Sequence, residues 1–258
     1  MKKTISLLLA VLLVLSSFFC ISFNALAEDE KENEDDNNVK VSDIFLDKNY
    51  TASFDKDDEY DKDLKMYNDT FLFEVPVSGN LTLSVKSKKK GYLSEYCTYC
   101  FINEDGKTWI TTGNKLKKNY TIKNIPKGNY YFFVLYKKTK EKAGAMLGGT
   151  YDFKLKYAPN VKVPTLSKLG AKKKAFTASW KKTKGVNGYE LSYSTNKNFK
   201  KAKSVKIDDA KTLKTTVSKL KGKKKYYVRI RAYKKIDLRY KTKTYYSKWS
   251  KSKVVKTK

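Results

Sequence analysis

Three groups of residues have the types and spacing to do chemistry, and the residue type that most hydrolytic mechanisms use is missing. Cys97-Thr-Tyr-Cys100 is a C-x-x-C pair, a spacing that serves disulfide formation, thiol redox work or metal ligation. Asp55, Asp57, Asp58, Glu59, Asp61 and Asp63 put six carboxylates into nine residues, the oxygen-rich set that calcium takes. That run lacks the glycine at position six and the glutamate at position twelve of an EF-hand loop, so a solvated acidic loop stands beside the calcium reading. The third group is basic and aromatic: Lys223, Lys224, Lys225, Tyr227, Arg229, Arg231, Tyr233, Lys234 and Lys235. On the outward side of a sheet they would form a cationic face with interleaved rings, suited to phosphate- or carboxylate-bearing polymers. A plain solvated surface is the alternative. Histidine is absent from the chain. His bases, His metal ligands and Ser-His or Cys-His nucleophile pairs are therefore excluded. Hydrolysis would have to use carboxylates such as Glu74, Glu95, Glu104 and Asp152, and no motif selects a pair among them. The expectation is a protein with no catalytic residues and no cofactor beyond a calcium ion at the acidic run.

These groups need elements to position them. The chain has 258 residues, 56 Lys+Arg against 26 Asp+Glu, and a formal net charge of +30. Hydrophobic residues make up 40% and aromatics 14%, enough for ordered cores. The charge is uneven. Residues 28–63 hold 5 Lys and 15 acids, while residues 160–258 hold 32 Lys and Arg against 4 acids, a net +28. Only Arg229, Arg231 and Arg239 are arginine. Lysine is a hydrated point charge and reads bases poorly, which argues against sequence-specific nucleic-acid recognition. A codon bias toward Lys, Asn, Tyr and Ile is an equal explanation for the origin of the charge, with the same physical consequences.

Residues 1–27 read as a signal peptide. Lys2-Lys3 precede the apolar stretch Ile5 to Leu15, and Ala25-Leu26-Ala27 supplies a small-x-small cleavage site. The mature chain would start at Glu28. The alternative is an uncleaved anchor, since the apolar stretch extends weakly through Phe23. After cleavage no stable membrane insertion is expected. Residues 28–39 form an acidic tail too polar to order itself.

From residue 40 to 158 the pattern is β. Phe71 to Val77, Ser78-Gly79-Asn80 and Leu81 to Val85 read as strand, turn, strand, with Leu81, Leu83 and Val85 on one face. Tyr96 to Asn103 is a strand closed by Glu104-Asp105-Gly106, a hairpin signal. Tyr130 to Tyr136 and Tyr151 to Tyr157 follow as strands. In an extended strand Cys97 and Cys100 point to opposite faces about 10 Å apart, beyond the roughly 7 Å Cα limit of a disulfide. A regular strand and a local disulfide thus exclude each other. Two separate thiols, one buried, are expected; a Cys97–Cys100 disulfide is the alternative, and redox or metal work a third. Asp69-Thr-Phe-Leu-Phe-Glu-Val-Pro-Val-Ser-Gly-Asn-Leu-Thr-Leu, Asn103-Glu-Asp-Gly-Lys, Ile125-Pro-Lys-Gly-Asn-Tyr-Tyr-Phe and Gly149-Thr-Tyr-Asp-Phe together resemble the bacterial pre-peptidase C-terminal β-sandwich. That resemblance implies an accessory module of secreted proteins, some of which bind calcium or polymers, and no catalysis.

Residues 160–258 repeat the theme with clearer alternation. Phe176, Ala178 and Trp180 share a face, as do Tyr189, Leu191 and Tyr193. Tyr226, Val228, Ile230 and Ala232 alternate with Tyr227, Arg229, Arg231 and Tyr233, a half-buried strand. Seven short strands in about 100 residues fit an immunoglobulin-like sandwich. Trp180, the Leu220 to Tyr226 spacing, Tyr226-x-Val-x-Ile-x-Ala232, Tyr189-Glu-Leu-Ser-Tyr-Ser-Thr-Asn-Lys-Asn-Phe and Tyr245-Tyr-Ser-Lys-Trp-Ser resemble a fibronectin type III domain of the Lys-rich kind found in Gram-positive secreted and cell-wall proteins. The resemblance implies a spacer or weak binding module.

The fold expectation is all-β, two β-sandwich domains in tandem. The functional expectation is an exported, non-catalytic cell-envelope or extracellular binding and spacer protein. It would be secreted or held at the surface of a Gram-positive-type bacterium, and its partners would be anionic polymers such as teichoic acid or acidic glycans. The alternatives are carbohydrate binding through exposed Tyr and Trp of the first domain, calcium-assisted at Asp55–Asp63, and an accessory module of a secreted enzyme system.

Overall fold

A computed structural model of the chain describes residues 41–53, 59–61, 66–87, 97–106, 109–111, 119–137 and 149–258. The predicted signal peptide and acidic tail lie outside these residues. The described residues contain strands and no α-helix. The chain divides into two compact units between Tyr157 and Ala158.

The first unit is built from two sheets. One has the order β1 (Val41–Asp43), β4 (Met66–Val75), β9 (Gly128–Lys137), β6 (Cys97–Asn103), β7 (Trp109–Thr111), with β3 (Glu59–Asp61) also on β4. The other has the order β2 (Asn49–Ser53), β10 (Thr150–Pro159), β5 (Gly79–Ser87), β8 (Asn119–Ile125). Period-two alternation puts large rings between them. Phe71 and Phe132 of the first sheet meet Phe153 of the second at centroid distances of 4.7 and 5.6 Å. The predicted hairpin at Glu104-Asp105-Gly106 is present, with Ile102 opposite Trp109. The strand–turn–strand at 71–85 has a different geometry from a hairpin. β4 pairs with β9 and β5 with β8, so the Ser78 turn carries the chain from one sheet to the other.

The second unit is also a sandwich. One sheet has the order β11 (Leu166–Lys172), β12 (Ala175–Trp180), β15 (Lys214–Val217). The other has β14 (Lys203–Ile207), β13 (Gly188–Ser194), β16 (Lys225–Asp237), β17 (Thr242–Tyr246), with β18 (Lys253–Lys256) on the opening residues of β16. The expected faces are the buried ones: Phe176, Ala178, Trp180, Tyr189, Leu191, Val228 and Ile230 form one core. The Tyr226 hydroxyl accepts the backbone N–H of Lys221 at 3.2 Å, which ties the turn after Leu220 to the start of β16. The last strand is split. Ser247 and Ser250 interrupt it, and each bonds β16 through both backbone and side chain: the Ala232 and Ile230 N–H groups donate to Oγ of Ser247 and Ser250 at 3.0 and 3.1 Å, and the two serine N–H groups donate back to the same residues' carbonyls. The result is eight strands in place of the expected seven.

Candidate functional site

The basic and aromatic residues predicted to act together are strung along β16 and the turn before it. Residues 225 and 235 are ten strand steps apart, which is roughly 33 Å. Lys223 and Lys224 lie in the turn at one end, Tyr227, Arg229 and Arg231 at the centre, and Tyr233, Lys234 and Lys235 at the other end. They form a row along the strand and its preceding turn, not a cluster around one point.

At the centre the outer face is closed by the protein's own rings. The Arg229 guanidinium lies 3.9 Å from the Phe199 ring centroid and 4.4 Å from that of Trp249. Arg231 lies 4.4 Å from Trp249 and 3.9 Å from Tyr246. The order is ring, cation, ring, cation, ring. Trp249 reaches this face from the segment 247–250, which the two serines hold alongside β16 at Ala232 and Ile230. Across the strand pair, Glu190 faces Arg231 and Ser192 faces Arg229. Arg231 Nε and Nη2 both donate to Glu190 Oε2, at 2.8 and 2.6 Å. Arg229 has no such carboxylate. Its Nε is buried without a hydrogen-bond partner, and burial, then the like charge of Arg231, lowers its pKa against the opposing pull of Glu190. These guanidiniums have their flat faces occupied, so they are framework groups and not free polymer contacts. The sequence reading missed Phe199, Trp249, Tyr246 and Glu190; Tyr245-Tyr-Ser-Lys-Trp-Ser was the signal that pointed toward three of the contacts.

Tyr233 also departs from the expectation. It has the outward parity of Arg231 yet is 1% exposed. Its ring lies across Gly188, where a Cβ would come within 2.6 Å of the Tyr233 hydroxyl oxygen. Lys206 Nζ and the Tyr246 ring sit against it at 5.3 and 6.0 Å. Its hydroxyl donates to Asp208 Oδ1 at 2.6 Å. Burial, then this acceptor, pushes the phenol up to about 12. Asp208 is held below its usual range by Lys206 and Tyr233.

The Cys97–Cys100 disulfide is contradicted. Both residues sit in regular strand and are free thiols. The expectation that one is buried needs extension, because both are. Cys97 faces the inter-sheet core across from Tyr136, and Cys100 joins Ile102, Phe133 and Leu135 in a second cluster on the other face. Burial pushes the Cys97 thiol up to about 12, with Asp69 adding to it, and Cys100 to about 11. Thiols so raised are protonated at neutral pH, and poor nucleophiles and metal ligands.

Of the acidic run, Asp55, Asp57, Asp58 and Asp63 lie outside the described residues, and Glu59 and Asp61 are described only as backbone of β3. Among the described residues no group of three Cys, Asp or Glu could hold a metal. Of the carboxylates considered for hydrolysis, Glu104 accepts from Asn129 at 2.9 Å and Asp152 from Thr51 at 2.7 Å. Glu74 lies opposite Asn129 on the far side of β9, so it and Glu104 share a sheet that Asp152 does not. Glu95 lies outside the described residues. The Tyr side chains described in the first unit are buried or half-buried, so among the described residues there no Tyr is fully exposed for sugar stacking. Among the described residues no helix is long and apolar enough to cross a membrane.

No family model matches the chain, and no curated protein does either. Solved structures do. The fibronectin type III domain of the human collagen alpha-1(XX) chain is 22% identical over 38% of this chain and 86% of that one, with a TM-score of 0.31. The pre-peptidase C-terminal domain of a Bacillus anthracis collagenase is 21% identical over 50% of this chain and all of that one (100%), with a TM-score of 0.31. A Parabacteroides distasonis beta-1,2-glucanase is 13% identical over 74% of this chain and 30% of that one, with a TM-score of 0.30. Both families that the sequence resembles have a counterpart here, and the architecture is all-β in both units.

Proposed function

We infer that this protein is an exported, non-catalytic binding and spacer protein of the cell envelope or extracellular space, attached to anionic polymers through the lysines of its second unit. One observation carries the reading. Residues 160–258 hold 32 cations and four acids, and all four acids are engaged locally. Glu190 is paired with Arg231 and Asp208 with Lys206. Asp209 accepts from the backbone of Lys211 and Asp237 from that of Arg239, each closing its own turn. The positive field of this unit is therefore left for an external counterion. Because Arg229 and Arg231 are stacked, lysine supplies nearly all of the attraction. Many weak, exposed contacts give association that is multivalent and sensitive to screening.

The test is capture of the purified protein on isolated Gram-positive cell walls, with and without their teichoic acid. Capture that falls at least about tenfold on stripping the polymer agrees with counterion release as the driving force. Equal capture on both walls contradicts the reading.

A further inference from the structure

A groove of about 710 Å³ opens at one end of the second sandwich. It lies between the residues that follow β13 and the turn that precedes β16. Lys200, Lys201, Lys203, Lys219, Lys221 and Lys224 line it, all exposed, with no carboxylate and no arginine in the lining. Nothing in the charge count alone would place six ammonium groups around one concavity. The backbone adds a second observation. Lys201 and Lys219 on the rim, and Lys223 beside it, hold φ values of 52°, 57° and 53°. Glycine or asparagine takes this left-handed conformation more cheaply than lysine, and strained non-glycine residues concentrate at ligand clamps. Here each of these positions carries an ammonium group in place of the cheaper residue.

We propose that this groove is the seat of polymer binding and that it takes a segment of a phosphodiester-linked polyol or sugar chain; the inference rests on the anionic-polymer reading above. Lysine binds a tetrahedral phosphate from any direction as a point charge, and arginine's fork, which grips carboxylate and phosphate alike, is absent from the lining. Nucleic acid is the less suited polyanion. Bases need free aromatic faces to stack on, and the two rings in the lining are committed to the core. Tyr226 is 6% exposed. Tyr193 packs edge-on to Phe176 at 5.8 Å and against Tyr226 at 6.3 Å.

The test measures the affinity of the purified protein for labelled poly(glycerol phosphate) by fluorescence anisotropy. The triple variant Lys200→Gln, Lys219→Gln, Lys221→Gln should bind at least about tenfold more weakly, with a salt slope lower by about two. Removing three lysines from the other end of the sandwich (Lys168→Gln, Lys184→Gln, Lys211→Gln) should cost less than about threefold, because screening weakens distant charges. All six positions are exposed, and unchanged thermal unfolding checks that both variants fold. Equal losses in the two triples overturn the groove and leave the anionic-polymer reading standing. Absence of wild-type binding to any polyanion defeats that reading itself. Polyglutamate or single-stranded DNA binding as tightly as poly(glycerol phosphate) overturns the phosphate-polyol assignment.

Discussion

At the residue scale, the arginines and cysteines show how identity and role can separate. Arg229 and Arg231 have the composition of a binding surface and the geometry of a framework. Each contact of a partly desolvated guanidinium with a ring contributes about 0.5–2 kcal/mol, and lysine reproduces neither the stacking nor the fork. Arg231→Lys should therefore destabilise the second unit by about 1–2 kcal/mol, roughly 4–16 °C in Tm, while polymer affinity stays within about twofold. Thermal unfolding and the binding assay read the two effects separately. A folded variant with unchanged Tm and lost affinity would return Arg231 to the binding surface. For the thiols the sign follows from burial. An unfolded cysteine ionises near pH 9, and the folded Cys97 and Cys100 ionise near 12 and 11. Both favour the folded state fully below pH 9, and that contribution drains away as pH rises toward 11–12. Denaturant unfolding at pH 8 and pH 10.5 should show the first unit losing stability, with a smaller loss in Cys97→Ala, Cys100→Ala. Alkylation at pH 8, mapped by mass spectrometry, should leave both thiols unmodified until the protein unfolds. The sequence made a regular strand and a local disulfide mutually exclusive and left both open; the strand at Cys97–Asn103 with its free thiols decides between them. Nor did the sequence show that both cysteines are buried, because the cluster behind Cys100 draws Phe133 and Leu135 from a strand more than 30 residues away.

At the element scale, β16 organises the second unit, and its two faces differ in how plainly the sequence displays them. The inner face reads directly from the alternation of Tyr226, Val228, Ile230 and Ala232. The outer face does not, because Phe199 and Trp249 close over it from distant segments. β11 was illegible for another reason: its only buried residue is Leu166, so an edge strand rich in lysine shows no alternation. The segment that brings Trp249 into place is held alongside β16 by Ser247 and Ser250. Ser247→Ala leaves the buried Ala232 N–H without its acceptor, and should cost about 1–3 kcal/mol in chemical unfolding. Ser250→Ala should act similarly on Ile230. A neutral result for both would mean that backbone pairing alone holds the segment. Gly188→Ala should be more severe. Its Cβ would come 2.2 Å from the Ile207 carbonyl oxygen, a backbone atom, as well as onto Tyr233. Loss of the folded second unit, or a cost above about 4 kcal/mol, is the expected outcome.

At the scale of the whole molecule, charge is the property that ties the fold to the proposed attachment. The sandwich folds leave most lysines on the surface, and the four acids of residues 160–258 serve local contacts. The sequence showed the excess and its location in the last third. It could not show which lysines face each other, because the groove joins two turns that only the tertiary fold brings together. The central claim is electrostatic attachment, and its most direct measurement is the affinity of the purified protein for poly(glycerol phosphate) across a salt series. A flexible polyanion making six phosphate contacts should lose affinity on the order of 10²-fold between about 50 and 200 mM salt, linearly in logarithmic coordinates. An affinity that stays constant across that range would contradict the account.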